Sequence, residues 1–305
     1  MKRDFLSLTD LNQKEIAGVL ELSRKLKKDP IQSILAGKSL GLVFTKSSTR
    51  TRVSFEVGIS QLGGHSFFLD TQGLQLTRGE SLVDTARVLS RYLNGVVIRT
   101  YRHQDIVDFA KHASIPVING LTDDLHPCQI LSDLFTIQEK LGRLEGLKIV
   151  YVGDGANNMA ATWLFGAAMT GIRLKVAAPQ GYWPDPKYIR EAMKVSIIGQ
   201  EFFEVTQDVK SAVRDADVIY TDVWVSMGQE NEKEKRLKDL VRYQVNEALL
   251  SAAKPSTLVM HCLPAHRGEE ITDAVVDRPD SVIFDQAENR LHVQKALMVM
   301  LMGSS

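Results

Sequence analysis

Short apolar runs rich in β-branched residues alternate along the whole chain with segments of helical spacing, and this alternation limits the possible folds more than any other feature. Parallel strands cannot be joined by a tight turn and need a crossover, usually a helix, so the pattern implies parallel sheets. Runs at 41–45, 66–69, 96–99 and 115–118 read as strands of a first sheet. Runs at 148–153, 173–177, 218–222, 258–261 and 282–284 read as strands of a second. Between strands, Ile16, Val19 and Leu20, and later Leu82, Ala86 and Leu89, recur at helical intervals. The expected fold class is α/β, with two doubly wound parallel-sheet domains. A helical pattern ends at Leu141 and glycines at 142 and 146 precede a new strand, which places a boundary there.

The chain's 305 residues suit two domains at roughly 100–200 residues each. Lys and Arg number 37, Asp and Glu also 37, so no overall basic excess exists to coat nucleic acid or an anionic membrane. Two cysteines cannot build a disulfide framework, which favours a reducing compartment. The first ten residues break their apolar run too early for a signal peptide. The longest clean apolar stretch, 296–302, is far short of the ~20 residues that span a bilayer. A cytoplasmic chain with no membrane and no nucleic-acid partner is expected.

Ligands of parallel sheets bind beyond the carboxyl ends of the strands, so the residues following each strand carry the functional argument. After the first comes FTKSSTRTR at 44–52, opening a helical segment that contains Val53, Phe55, Val57, Ile59 and Leu62. Hydroxyls, free backbone N–H groups and guanidinium groups at a helix N-terminus form an anion site. Arginines in a first helical turn oppose the helix dipole, so a bound anion has something to compensate. With no glycine, the motif is not a P-loop. Arg99 closes the third apolar run; alone it reads equally well as an arginine meeting solvent. His126, Pro127, Cys128 and Gln129 precede an apolar helix, and Pro127 fits its first turn.

In the second half, GDGANN at 153–158 is a strand–turn–helix junction with Asn158 where a dinucleotide motif needs its third glycine. No acidic residue closes the next strand, so no dinucleotide cofactor is expected, and Asn158 is left to hold a small substrate through its amide. Asp222 to Gly228 ends one strand and HCLP at 261–264 ends another. Cys262 reads either as a reactive strand-end thiol or as an inert buried one. The two cysteines fall in separate motifs without a ligand quartet, so no metal is expected. The segment 228–240 is charge-dense but mixed in sign and reads as a solvated loop and helix face.

Together these motifs resemble the aspartate/ornithine carbamoyltransferase superfamily: FTKSSTRTR its carbamoyl-phosphate signature, HPCQ its HPxQ motif, and Asp222 with the SMG of 226–228 and HCLP its ornithine branch. The aspartate branch is expected to carry Pro-Leu-Pro where this chain has His-Cys-Leu-Pro. The resemblance implies a carbamoyl-phosphate domain over 1–141, completed by a C-terminal helix over 286–305, an ornithine domain over 142–285, and an active site in the interdomain cleft. It implies a homotrimer with shared sites, Gln75 reaching the phosphate from a neighbouring subunit. Ser48, Thr49, Arg50, Thr51, Gln75, Gln129 and Leu263 would bind carbamoyl phosphate, together with Arg99, His126, Cys262 and Arg290, which also carry catalysis. Asn158, Asp222, Ser226 and Met227 would bind ornithine, although the resemblance does not separate Asn157 from Asn158.

The reaction so implied is attack of ornithine's neutral δ-amine on carbamoyl phosphate, yielding citrulline and phosphate without a cofactor. Two alternatives stand beside it. One is a related carbamoyltransferase with another acceptor (putrescine, lysine or an acylated ornithine). The other is a non-catalytic carbamoyl-phosphate-binding homologue.

Overall fold

The computed structural model describes residues 2–70, 79–226 and 228–303. Its strands are β1 (Ser39–Phe44), β2 (His65–Asp70), β3 (Gly95–Arg99), β4 (Val117–Leu121), β5 (Lys148–Val152), β6 (Arg173–Ala177), β7 (Phe203–Thr206), β8 (Val218–Thr221) and β9 (Leu258–His261). The helices are α1 (Gln13–Lys28), α2 (Thr49–Gln61), α3 (Leu82–Tyr92), α4 (His103–His112), α5 (Pro127–Leu141) and α6 (Asn158–Thr170). They continue with α7 (Pro186–Val195), α8 (Val209–Val213), α9 (Lys233–Leu240), α10 (Glu247–Leu250), α11 (Asp273–Val276) and α12 (Ile283–Met302).

Two compact units result, Met1–Phe135 with Asn289–Ser305, and Thr136–Glu288. The divisions fall inside α5 and α12, a few residues from the 141/142 and 285/286 positions expected from sequence. Gly142 takes a left-handed φ of 75° and ends α5. A glycine shows where a helix stops and not which core its last turns join.

The first unit's sheet has the order β2-β1-β3-β4 and the second's β7-β6-β5-β8-β9, all pairs parallel. In each, the chain winds one way and then the other, so the direction reverses between β1 and β3, and between β5 and β8. The crevice beyond the carboxyl ends at such a reversal is where ligands of this architecture bind.

In the first unit, Val43, Val96, Ile98 and Val117 pack on one sheet face with Ala86, Ile106 and Phe109 of α3 and α4. α2 buries Phe55 and Ile59, whereas Val53 and Val57, which share its helical spacing, remain exposed. α12 lies against α2 at Gly58, where a Cβ would stand 3.1 Å from Met298 and 3.2 Å from Lys295. Lys295 is fully buried; its ammonium donates to Leu26 O, Pro30 O and Gln61 Oε1 at 3.0, 3.2 and 2.8 Å.

Two sequence expectations change. The run 282–284 is not a strand but the start of α12. A short apolar β-branched run cannot be told from the first turn of a buried helix by periodicity. The second sheet instead gains β7, a four-residue edge strand whose Glu204 and Thr206 hide it from hydropathy. No described helix is long and apolar enough to cross a membrane.

Candidate active site

At the reversal in the first unit, β1 delivers the 44–52 motif. Ser48 is the N-cap of α2, its Oγ accepting from Thr51 N at 3.2 Å. Thr49 and Arg50 form the exposed first turn of α2, whereas Thr51 is buried. Arg52 turns away: its guanidinium lies 3.7 Å from the Phe68 ring centroid and pairs with Glu56 at 3.0 Å.

Arg99 closes β3 beside Phe44 and is 7% exposed. It donates to Thr51 Oγ1 at 3.4 Å. The same hydroxyl accepts from Arg290 of α12 at 3.2 Å. Arg290 also donates to Gln129 Oε1, and Gln129 Nε2 donates to Asp133 Oδ1 at 2.8 Å, which fixes the amide's orientation. Gln294, oriented so that it donates to Ser54 Oγ, accepts from Arg290 Nε at 3.1 Å. These partners aim the Arg290 guanidinium. Lys46 is buried and pairs with the half-exposed Asp123 at 2.8 Å.

His126 stands just before Pro127, the first residue of α5, and is 5% exposed. Its pKa lies well below the usual histidine value, first through burial and then through Arg290, Arg99 and Lys46. The imidazole is therefore neutral near pH 7, suited to a hydrogen bond and not to carrying charge. Cys128 points into the core, donating to Asn119 O at 3.3 Å; burial pushes its thiol up to about 12, so it is inert.

In the second unit, β5 is followed by Gly153, whose φ of 117° only glycine adopts easily. Asn157 then caps α6: its Oδ1 accepts from Ala160 N at 2.9 Å, and its amide bonds the Tyr151 hydroxyl. Asn158, one residue on, is the first residue of α6.

Beyond β8, Asp222 is 8% exposed, and Cys262 Sγ donates to its Oδ1 at 3.0 Å. Burial raises the Asp222 pKa, partly offset by His261 and by hydrogen bonds from Cys262 and Val223 N. Ser226 N is held by Gln229 Oε1 at 3.1 Å.

HCLP is shaped from within. Leu263 takes φ of 58°, a left-handed conformation costing a non-glycine residue on the order of 1–3 kcal/mol. Its N–H donates to His261 Nδ1 at 2.8 Å, and His261 Nε2 meets Glu270 Oε1 at 3.0 Å, both residues buried. These partners assign the proton to Nε2. Potential ligand atoms of Asp222, His261 and Cys262 lie within 4.8 Å of one another, but both His261 nitrogens are engaged, so a cation there has to break one of these bonds.

Thus Thr51, Arg99, His126, Gln129 and Arg290 share one cluster of the first unit, with Ser48, Thr49 and Arg50 on the helix end beside it. Asp222, Cys262 and Leu263 share the β8–β9 edge of the second, with Asn158 at the start of α6 and Ser226 on the loop after β8. Gln75 and Met227 lie outside the described residues. Glu270 and Gln294 carried no sequence signal, because neither belongs to a local motif.

Comparison with known proteins also divides the chain near residue 140, with α12 falling in the second match. Residues 3–139 match the model of the aspartate/ornithine carbamoyltransferase carbamoyl-P binding domain, and residues 145–301 that of the Asp/Orn binding domain. The ornithine carbamoyltransferase of Syntrophus aciditrophicus is 56% identical, covering 99% of this chain and 100% of that one. That of Oceanobacillus iheyensis is 54% identical, covering 99% and 94%. Among solved structures, ornithine carbamoyltransferase from Pyrococcus furiosus superposes with a TM-score of 0.94 at 51% identity, covering 100% of this chain and 98% of that one. The anabolic enzyme from Campylobacter jejuni gives 0.92 at 39%, covering 98% of each.

Proposed function

The chain belongs to the aspartate/ornithine carbamoyltransferase family, and from that premise we propose that it transfers the carbamoyl group of carbamoyl phosphate to the δ-amine of L-ornithine. The observation that carries the proposal is the meeting of two buried guanidinium groups, Arg99 and Arg290, on the single hydroxyl of Thr51. Two guanidinium groups that converge on one hydroxyl favour an anion beside them. A small phosphate ester at the N-terminus of α2 meets both guanidiniums, the Ser48 and Thr49 hydroxyls, Arg50 and the helix dipole at once.

Arg50 is the main exposed charge partner of the phosphate. Arg99, Thr51 and neutral His126 donate to the carbonyl oxygen as it becomes an oxyanion, and one such donor is worth ~10²–10³ in rate. Gln129, Arg290 and the Leu263 backbone hold the carbamoyl amide end. On the acceptor side, Asn158, Ser226 and Met227 bind the α-amino and α-carboxylate groups, with Asp222. An alkyl ammonium near the lysine reference of ~10.4 is protonated at neutrality, so it must lose a proton before it attacks. The Asp222–Cys262 pair positions the amine and accepts that proton; Cys262 forms no covalent bond. The amine's nitrogen then bonds to the carbonyl carbon, the carbon–oxygen bond to phosphate breaks with its electron pair, and the nitrogen's surplus proton leaves with the phosphate. Two substrates held on one reacting centre react as though unimolecular, which supplies much of the acceleration.

The proposal extends to amino-acid biosynthesis in the cytoplasm and to a homotrimer in which Gln75 of a neighbouring subunit reaches the phosphate; sedimentation at the mass of three chains tests the assembly. The test of the function is citrulline formation from carbamoyl phosphate and ornithine, run beside putrescine, lysine, aspartate and N-acetylornithine. Turnover confined to ornithine is the expected result, and turnover with another amine alone overturns the assignment.

A further inference from the structure

Arg236 of α9 belongs to the mixed-charge segment that reads as solvated, yet it is 8% exposed and holds together two loops of the second unit. Its Nη1 donates to Asp154 Oδ2 at 2.8 Å and to Trp224 O at 3.2 Å, while Nε donates to Glu232 Oε2 at 2.9 Å. Asp154 is 2% exposed, and its other oxygen accepts from Ala156 N at 3.0 Å, shaping the turn that leads β5 into Asn157 and Asn158. Trp224 lies midway between Asp222 and Ser226 on the loop after β8. The loops are already in contact, since a Cβ on Gly153 would stand 3.1 Å from Trp224 Nε1. The guanidinium is also set against the Tyr182 ring, 5.5 Å from its centroid, and Tyr182 Oη donates to Asp239 Oδ2 at 2.9 Å. One side chain thus joins the β5 loop, the β8 loop and α9 on the two sides of the sheet's reversal point.

We propose that Arg236 is a positioning residue for ornithine: it sets the distance between Asn158 at the start of α6 and Asp222 and Ser226 on the loop after β8. The inference rests on the reading of the second unit as the amino-acid half-site. A buried ion pair is weak evidence for stability, because desolvation offsets its attraction. What the planar fork adds is geometry, two acceptors from different loops reached by one nitrogen in a fixed plane. A displacement near 1 Å at a substrate-positioning group costs on the order of 10²-fold.

The test measures ornithine KM, kcat, carbamoyl-phosphate affinity by calorimetry, and the thermal midpoint. Arg236→Met is expected to raise ornithine KM by roughly 10- to 100-fold while leaving carbamoyl-phosphate affinity within about twofold. Arg236→Lys keeps the charge beside Asp154 but cannot reproduce the fork, so ornithine KM rises at an unchanged midpoint, a result that holds even if the Met variant does not fold. Adding Asp154→Asn to Arg236→Met removes the unpaired buried carboxylate; the midpoint recovers while ornithine KM stays high. An unchanged KM in both single variants, or a KM that recovers in step with the midpoint, overturns the proposal. A wild-type chain that makes no citrulline overturns the functional reading along with it, whereas wild-type turnover with unchanged variant KM overturns this inference alone.

Discussion

Replacing Thr51 by Val removes one oxygen from the site and little else. The residue is 1% exposed within α2, Val fills nearly the same volume, and the two have similar helix propensity. The missing oxygen is the shared acceptor of Arg290 at 3.2 Å and Arg99 at 3.4 Å. A hydrogen bond to a charged group contributes ≈ 1.5–3 kcal/mol at good geometry and less as it lengthens. Assigning about 1.5 kcal/mol to Arg290 and about 0.5 kcal/mol to the longer Arg99 contact gives about 2 kcal/mol, or roughly 30-fold in affinity. Calorimetric titration with carbamoyl phosphate is therefore expected to show a Kd weakened roughly 30-fold for Thr51→Val, with Thr51→Ser, which restores the oxygen, close to wild type. A Thr51→Val affinity within about twofold of wild type would show that the two guanidiniums do not gather on the phosphate, and the argument from their convergence would fail.

Arg50→Ala removes the exposed cation of the first α2 turn, so carbamoyl-phosphate binding is expected to be lost in calorimetry with circular dichroism unchanged. Cys262→Ala deletes the donor to Asp222, so ornithine KM rises and the pH–rate profile shifts; wild-type kinetics would remove Cys262 from the site. In native protein, alkylation followed by peptide mass spectrometry is expected to modify Cys262 and spare Cys128, whose thiol is buried and raised to about 12. Lys295 titrates at about 8 because burial disfavours its charge, below the ordinary lysine value. A depressed folded pKa means that its contribution to stability is present above the unfolded pKa and lost as pH falls through 8. Between pH 8 and 9 the wild type should gain about 1 kcal/mol relative to Lys295→Met, and parallel pH profiles of the two thermal midpoints would contradict this.

The helix-capping motif at 44–52 was legible whole, because cap, hydroxyls and arginines occupy nine consecutive residues and the chemistry of a helix N-terminus is local. The α/β class was equally legible, since parallel pairing needs crossovers and the alternation displays them. Legibility fails where identity of type conceals identity of place. Val53 and Phe55 look equally suited to a core, and only the second faces one. Arg52 and Arg50 look equally suited to a phosphate, but Arg52 stacks on Phe68. Arg236, in a stretch dense with solvated charges, gives no local sign that it is buried on Asp154.

What the chain determined by itself, then, is a set of short-range features: helix caps, most of the strand runs, and the nine-residue segment that gathers hydroxyls and arginines at a helix N-terminus. Those follow from dihedral preferences, capping and hydropathy within a few residues. The tertiary structure alone decided which distant groups share a field. Thr51 and Arg290 are 239 positions apart, and Cys262 and Asp222 are 40 apart. Buried charge is tolerated only where specific partners arrive at hydrogen-bonding distance, and that arrival is a property of strand order and sheet reversal, which no local pattern encodes.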